Sequence, residues 1–447
     1  MRLSNQSTYM DLIREAARPI SGNNSSFDPL IHLAADAQFV LLGEASHGTH
    51  EFYSARSEIT KRLIREKGFQ AVAVEADWPD ADRVNRFVLG RSQDRSAARA
   101  LTGFTRFPVW MWRNRDVEEF VRFLRDYNDK QDPNSVPVGF YGLDLYSLNR
   151  SRYEVIRYLD RVDPQAAAAA RARYACFDHF GENEQVYGQA VAYRLAASCE
   201  DEVIGQLVDI QKRSWAYLHR DGQVAEDDFF SAEQNARLVK NAEEYYRAMF
   251  YGPTNTWNLR DAHMAQTLEA LAAHLEKRFG KSKVVVWAHN SHLGNARATD
   301  RAAFGEWNVG QLVRERFGRS VLVGFTTYSG TVTAASDWGG PHETKRVLPA
   351  LPESYEALFH AAGIPKFLLI FSGDKSLSSR FQTERLERAI GVIYMPETER
   401  ASHYFHARLS DQFDAILHFD ETRAVEPLHH AEEEQSAETP DTYPIGV

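Results

Sequence analysis

Phe39-Val40-Leu41-Leu42-Gly43-Glu44-Ala45-Ser46-His47-Gly48-Thr49-His50-Glu51-Phe52-Tyr53 sets the fold. An apolar run ends abruptly in a carboxylate, an imidazole and two glycines, and helix-period sequence follows. A strand that gives way directly to polar residues and then a helix places those residues at the carboxyl edge of an α/β sheet, where ligands bind. His47 is thereby the first candidate for catalysis, with Glu44 beside it.

Similar β-branched runs recur, separated by helical sequence, at 71–75, 136–142, 284–288, 321–325, 367–371 and 391–394. This alternation predicts an α/β fold with a largely parallel central sheet flanked by helices. From about residue 151 to 255 the pattern turns alanine-rich and charged at helical spacing. An inserted helical subdomain, able to act as a lid or roof over the sheet edge, is expected there. The predicted organisation is 1–150 and 256–425 as two parts of the α/β core, 151–255 as the insertion and 426–447 as an acidic, mobile tail.

The chain has 447 residues, 43% hydrophobic and 26% charged, with a net charge of −10. That balance lacks the basic footprint of a nucleic-acid or anionic-membrane binder. No 18-residue apolar run is present, and the charges within residues 1–20 do not fit an ordinary signal peptide, so a cytoplasmic location is expected. Cys176 and Cys199 are the only cysteines, too few for a disulfide framework. They fit a reducing compartment, although they could pair.

Polar residues end the other predicted strands: Glu75 and Asp77, Asp144, and His289 with His292. Parallel strands would gather these ends. Two histidines in one loop can supply a proton shuttle, an oxyanion donor or two metal ligands. Glu75 near imidazoles would fix a tautomer and raise basicity. Arg56, on one helix face with Phe52 and Ile59, could hold a substrate carbonyl or anchor Glu44 and Glu75. Asp144, Arg260 and Asp261 are supporting candidates, and Trp110 and Trp112 could line an apolar cleft. His179, His219, His274, His360, His429 and His430 lack such surroundings and read as surface or packing residues. A Gly-x-Ser-x-Gly elbow is lacking, which disfavours a serine acyl-enzyme.

The sequence resembles the erythromycin esterase family, including its succinoglycan-biosynthesis-like branch, over about residues 10–420. The likeness runs through Gly43-Glu44-Ala45-Ser46-His47-Gly48, Glu75-Ala76-Asp77, Gly142-Leu143-Asp144, Trp257-Asn258-Leu259-Arg260-Asp261-x-x-Met264, His289-Asn290-x-His292-x-Gly294 and Tyr394 to Tyr404. The resemblance implies an α/β core with a helical insertion, a deep cleft, and hydrolysis of a macrolide lactone without a metal ion or other cofactor. It also implies a general base at His47, supported by Glu44, Arg56, Glu75, His289 and His292. The expected partners are a small-molecule ester or macrolide and water, with no nucleic acid and no membrane. Two rival readings stand beside it. One is a metal-dependent hydrolase using Glu44, His47, Glu75, His289 and His292 as ligands. The other is a non-catalytic binding or accessory protein of polysaccharide or secondary metabolism.

Overall fold

The computed structural model describes residues 2–22, 24–132, 135–181, 183–218 and 223–429. The tail expected at 426–447 therefore lies almost wholly outside the described residues, as do His219 and His430. In chain order the strands are β1 (Arg18–Pro19), β2 (Phe39–Leu42), β3 (Ala71–Asp77), β4 (Gly139–Asp144), β5 (Val284–Trp287) and β6 (Ser320–Ala334). They continue with β7 (Glu343–Val347), β8 (Lys366–Ile370), β9 (Arg385–Arg388), β10 (Tyr404–Ala407) and β11 (Ala415–Thr422). Among the described residues, nine of these form one sheet in the order β1-β8-β11-β6-β2-β5-β3-β4, with β7 paired to β6. From β11 to β4 every pairing is parallel, while the contacts made by β8 and by β7 are antiparallel.

Both faces of this sheet are buried, which is why its central strands read as continuous apolar runs. Alternate residues divide between two cores. Phe39, Leu41, Ala71, Ala73, Val284 and Val286 join one cluster, and Val40, Leu42, Val72, Val74, Val285 and Trp287 the other. Helix His50–Lys67 and helix Arg115–Asp129 close the second face through Phe52, Ile59, Leu63, Phe120 and Leu124. The first face shares its cluster with helix Leu148–Val162, helix Pro164–Tyr174 and helix Gln223–Ala248, through Leu159, Ala167, Tyr174, Leu238 and Tyr245. At about 25 cal/mol per Å² of apolar surface, this two-sided burial is the main force holding the strand ends in place.

Register then decides where the polar residues emerge. Leu42 and Val74 both pair with Trp287, so β2 and β5 end level with Val74, while β3 runs on to Asp77. Asp77 pairs with Asp144 after a bulge in β3. The residues just beyond, Glu44, His47, Glu75 and His289, leave the sheet at one edge. Gly48 lets the chain turn there: a Cβ on it would collide with the Thr333 carbonyl, whose own amide donates to the Gly48 carbonyl (3.0 Å).

Two strand expectations need correction. Residues 391–394 form no ladder; Ile393 makes one isolated bridge to Ala335. The segment leading into them is held instead by the Ile390 amide, which donates to the Ala45 carbonyl at 2.8 Å beneath the His47 turn. The strand expected at 136–142 lies three residues later, ending at Asp144. Strands β1, β7, β9, β10 and β11 are additional; β11 was masked by His418, Asp420 and Glu421 interrupting its apolar pattern. No helix among the described residues is long and apolar enough to cross a membrane.

Cys176 and Cys199 are joined as a disulfide, 23 residues apart, with Cα atoms 6.0 Å from one another. It ties helix Glu200–Lys212 to the turn after helix Pro164–Tyr174. Closing a loop of that length is worth about 3 kcal/mol through the unfolded chain's entropy. Thiol titration of native protein should find no free cysteine, and reductant should lower the denaturation midpoint; free thiols in the untreated protein would contradict the pairing.

Candidate active site

Glu44 follows β2 and is fully buried. One carboxylate oxygen meets His47 Nδ1 at 3.0 Å, and the other accepts from Arg56 Nη2 at 2.5 Å. The ionised carboxylate therefore holds His47 with a proton on Nδ1, leaving Nε2 as the basic nitrogen on a ring that lines the cleft. Tyr53 locks the turn by donating its hydroxyl to the His47 carbonyl at 2.8 Å and the Met111 carbonyl at 2.9 Å. Arg56 lies wholly inside, its guanidinium 4.4 Å from the Tyr53 ring and 5.0 Å from the Trp287 ring. It is paired with Glu44 and is not among the residues lining the cleft, so of the two roles expected of it the position matches the anchoring of Glu44.

The guanidinium in the cleft belongs to Arg260, on helix Pro253–Phe279. Its Nε and Nη2 bind the two oxygens of Asp144 at 3.0 and 2.7 Å, and Nη2 also reaches Glu75 Oε1 at 2.6 Å. The other Glu75 oxygen accepts from the His289 amide at 2.9 Å. Glu75 is fully enclosed, yet His292, Arg260 and His47 overcome the burial and hold its carboxyl well below the usual range. Arg260 overcomes burial at Asp144 in the same way.

His292 stands behind Arg260. Its Nδ1 contacts Asp261 at 2.9 Å, and its ring stacks on Trp257 with centroids 4.6 Å apart. Nε2 faces two groups of opposite demand: Arg260 Nη1 at 3.1 Å, which favours a neutral ring, and Glu75 Oε1 at 3.4 Å, which favours a charged one. Burial works against the charge, but Asp261 and Glu75 outweigh it and Arg260, pushing His292 up to about 9. The balance is reasonable because Arg260 is itself neutralised by Asp144 and Glu75.

His289 behaves oppositely. Burial, then the neighbouring His47, keeps its pKa well below the ordinary value. Its Nδ1 accepts from the Ser291 amide at 3.2 Å, capping the short helix Asn290–Leu293, and its ring lies 5.0 Å from that of His47. Asn290 fastens this turn to the sheet: its amide donates to the Glu44 carbonyl at 2.8 Å and its side chain to the Phe325 carbonyl at 2.8 Å.

His47, Glu75, Asp144, Arg260 and Trp112 thus line one cleft, of about 60 Å³, while Glu44, Arg56, Asp261, His289 and His292 form a buried layer supporting it. Trp112 also donates its indole N–H to the Glu75 carbonyl at 3.1 Å. Trp110 does not line the cleft. It is fully buried in the core beneath it, because the turn Val109–Met111 points alternate rings in different directions. The remaining walls include Asp77, Asp80, Phe104, Arg106, Phe107, Met111, Tyr146 and Trp338. Sequence reading missed Asp80, Arg106 and Tyr146; Asp80 carried a signal, standing one helical turn after Asp77. Among the described residues no group of three or more His, Cys, Asp or Glu is arranged to hold a metal ion. Glu44 and Glu75 are each turned toward a guanidinium instead.

His274 stacks on Phe230 and meets Asp227 at 3.0 Å, and His360 stacks on Tyr328, both away from this site.

Residues 64–422 match the family model described as erythromycin esterase, a span that takes in Glu75, Asp144, Arg260, Asp261, His289 and His292 and begins after Glu44, His47 and Arg56. The chain is similar to the Bacillus subtilis (strain 168) protein named "Putative hydrolase YbfO", 23% identical over 93% of this chain and 92% of that one. It is 22% identical to erythromycin esterase type II of Escherichia coli over 70% of this chain and 74% of that protein. A solved structure of an erythromycin esterase mutant in its open conformation shares the fold, with a TM-score of 0.65 at 17% identity over 90% of this chain and 94% of the other.

The His292 environment has a consequence for stability. A group whose folded pKa is raised from 6.5 to about 9 holds an extra proton in the folded state, so its contribution is complete below pH 6.5 and lost as pH rises through 9. The stability difference between wild type and His292→Gln, measured by denaturant unfolding, should shrink on the order of 3 kcal/mol between pH 6.5 and 9. A difference that is flat with pH would show that His292 is neutral when folded.

Proposed function

The chain belongs to the erythromycin esterase family, a family of hydrolases, and from that premise we propose that it hydrolyses a carboxylic ester, a macrolide lactone or a related ester, by attack of water activated at His47. The observation that carries this reading is the Arg56-Glu44-His47 chain, which holds one imidazole with its basic Nε2 at the cleft and its Nδ1 proton committed to a buried carboxylate. That is the arrangement a general base requires.

In the proposed reaction, Nε2 of His47 takes a proton as the water oxygen bonds to the carbonyl carbon. The carbonyl π electrons move to oxygen, and Arg260 is the cation placed to stabilise that oxyanion. Collapse of the tetrahedral species breaks the C–O ester bond, and the leaving alkoxide takes the proton back from His47. Glu44 balances the imidazolium formed between the two steps. Asp144 and Glu75 hold Arg260 in place, and His292, paired with Asp261, packs behind it. The dimensions of the cleft bear on the substrate: about 60 Å³ is well below the roughly 300–1,000 Å³ that drug-sized ligands occupy. The smaller the ester, the less the walls must part to admit it, and a macrolide demands the most.

The test incubates a short-chain ester and a 14-membered macrolide with excess chelator and reads product by mass spectrometry. Wild type should add one water, about 18 Da, to an ester, and His47→Asn should lose roughly 10²–10⁴-fold in rate while remaining folded. Undiminished hydrolysis by soluble His47→Asn would refute the base assignment, and hydrolysis abolished by chelator and restored by a divalent ion would favour the metal-dependent reading.

A further inference from the structure

Asp77 is not used by this mechanism, yet it lines the same cleft. It lies two residues beyond Glu75, within the bulged end of β3, and lines the cleft together with Glu75. Its Oδ2 accepts from Arg106 Nε at 3.0 Å, and Arg106 is in turn packed 4.4 Å over the Tyr146 ring. Its Oδ1 is buried and has no hydrogen-bond partner, on a residue only 6% exposed. A carboxylate oxygen left in that condition costs roughly 1–3 kcal/mol, so it is an unusual thing for a cleft to keep. On another part of the wall, the Trp338 indole Nε1 is likewise buried without a partner.

Asp77 Oδ1 and Trp338 Nε1, like Asp80 Oδ1 and the Tyr146 hydroxyl, are thus buried without a hydrogen-bond partner on residues that line one small cleft, whose aromatic walls include Phe104, Phe107 and Trp112. A hydroxyl group can donate and accept at once, and its carbon framework suits aromatic walls. An ammonium group could satisfy only the acceptor, and Arg106 already neutralises Asp77 and occupies its other oxygen. We infer that Asp77 is a specificity-determining residue that accepts a hydrogen bond from a neutral hydroxyl on the substrate, close to the bond being cut, and that Trp338 supports the same group. The substrate class is therefore a hydroxylated ester rather than a plain alkyl one. The inference rests on the proposed ester hydrolysis for its place in the reaction, but the binding itself does not depend on turnover.

The discrimination should be large, because a buried group built to meet a hydroxyl is left unpaired by the analogue that lacks one. Ethyl 3-hydroxybutyrate and ethyl butyrate form a matched pair that differs only in the hydroxyl. In wild type, the hydroxylated ester should have a kcat/KM at least ~10-fold higher. Asp77→Asn, whose amide would turn its oxygen toward Arg106 and present a donor in place of Oδ1, should bring the ratio close to one. Trp338→Phe, which removes the indole donor and keeps an aromatic wall, should lower it less and guards against misfolding of the first variant. The same pair is titrated against His47→Asn and His47→Asn/Asp77→Asn by tryptophan fluorescence. A wild-type ratio that Asp77→Asn and Trp338→Phe leave unaltered, or equal binding of the two esters by the His47→Asn protein, would overturn the inference. Preferential binding of the hydroxylated ester that is lost with Asp77→Asn, in a wild type that cleaves neither, would uphold it and defeat the hydrolytic reading instead.

Discussion

Glu44 is a fully buried carboxylate with a guanidinium on one side and an imidazole on the other, and the site is built around the need to keep it satisfied. An unpaired charge at that depth would cost several kcal/mol, so Arg56 must stay inside the helix–sheet interface and His47 must keep its ring turned toward the carboxylate. Helix His50–Lys67 supplies Arg56 from its buried face, while β2 supplies Glu44. The position of a single proton on His47 is thus tied to the packing of a strand against a helix. Tyr53 and Trp287 enclose the guanidinium from water, which makes the pairing stiff rather than exchangeable.

Arg260 makes a second centre of the same kind with the opposite sign. One cation faces Asp144 from β4, Glu75 from β3 and His292 from the loop after β5, so three neighbouring strand ends converge on one helix. Its charge is held by carboxylates but remains at the cleft wall, where a developing oxyanion would meet it. The two centres differ in what they expose: Arg56 is spent entirely on Glu44, and Arg260 is shared. That difference explains how two arginines of equal charge can serve one as scaffold and the other as a contact for substrate.

The sequence was most informative where a pattern had one physical outcome. Continuous apolar runs such as Val284–Trp287 fit only strands buried on both faces, and the polar residues after them do meet at one edge because the strands are in register. The family likeness carried by Glu75-Ala76-Asp77 and His289-Asn290-x-His292 was also legible. Distances between helices were not. Arg56 and Arg260 read alike in sequence, and only the path of helix Pro253–Phe279 across β4 determines which guanidinium reaches the cleft. Trp110 and Trp112 differ by two residues in a tight turn, where neither strand nor helix periodicity says which ring faces inward. Residues 391–394 have strand composition but lie where hydrogen bonds to Ala45 and Ala335 replace a ladder. Cys176 and Cys199, 23 residues apart, gave no sign of pairing because their approach depends on how the helices Pro164–Tyr174 and Glu200–Lys212 pack.

The central claim is the protonation pattern of His47, and the most direct measurement is ¹⁵N NMR of histidine-labelled protein, with the His47 resonances identified by their loss in His47→Asn. At pH 8 the account predicts a ring protonated at Nδ1 with an unprotonated Nε2, shifting toward the opposite or mixed tautomer in Glu44→Gln. A His47 ring protonated at Nε2 in wild type, or one indifferent to Glu44→Gln, would contradict it.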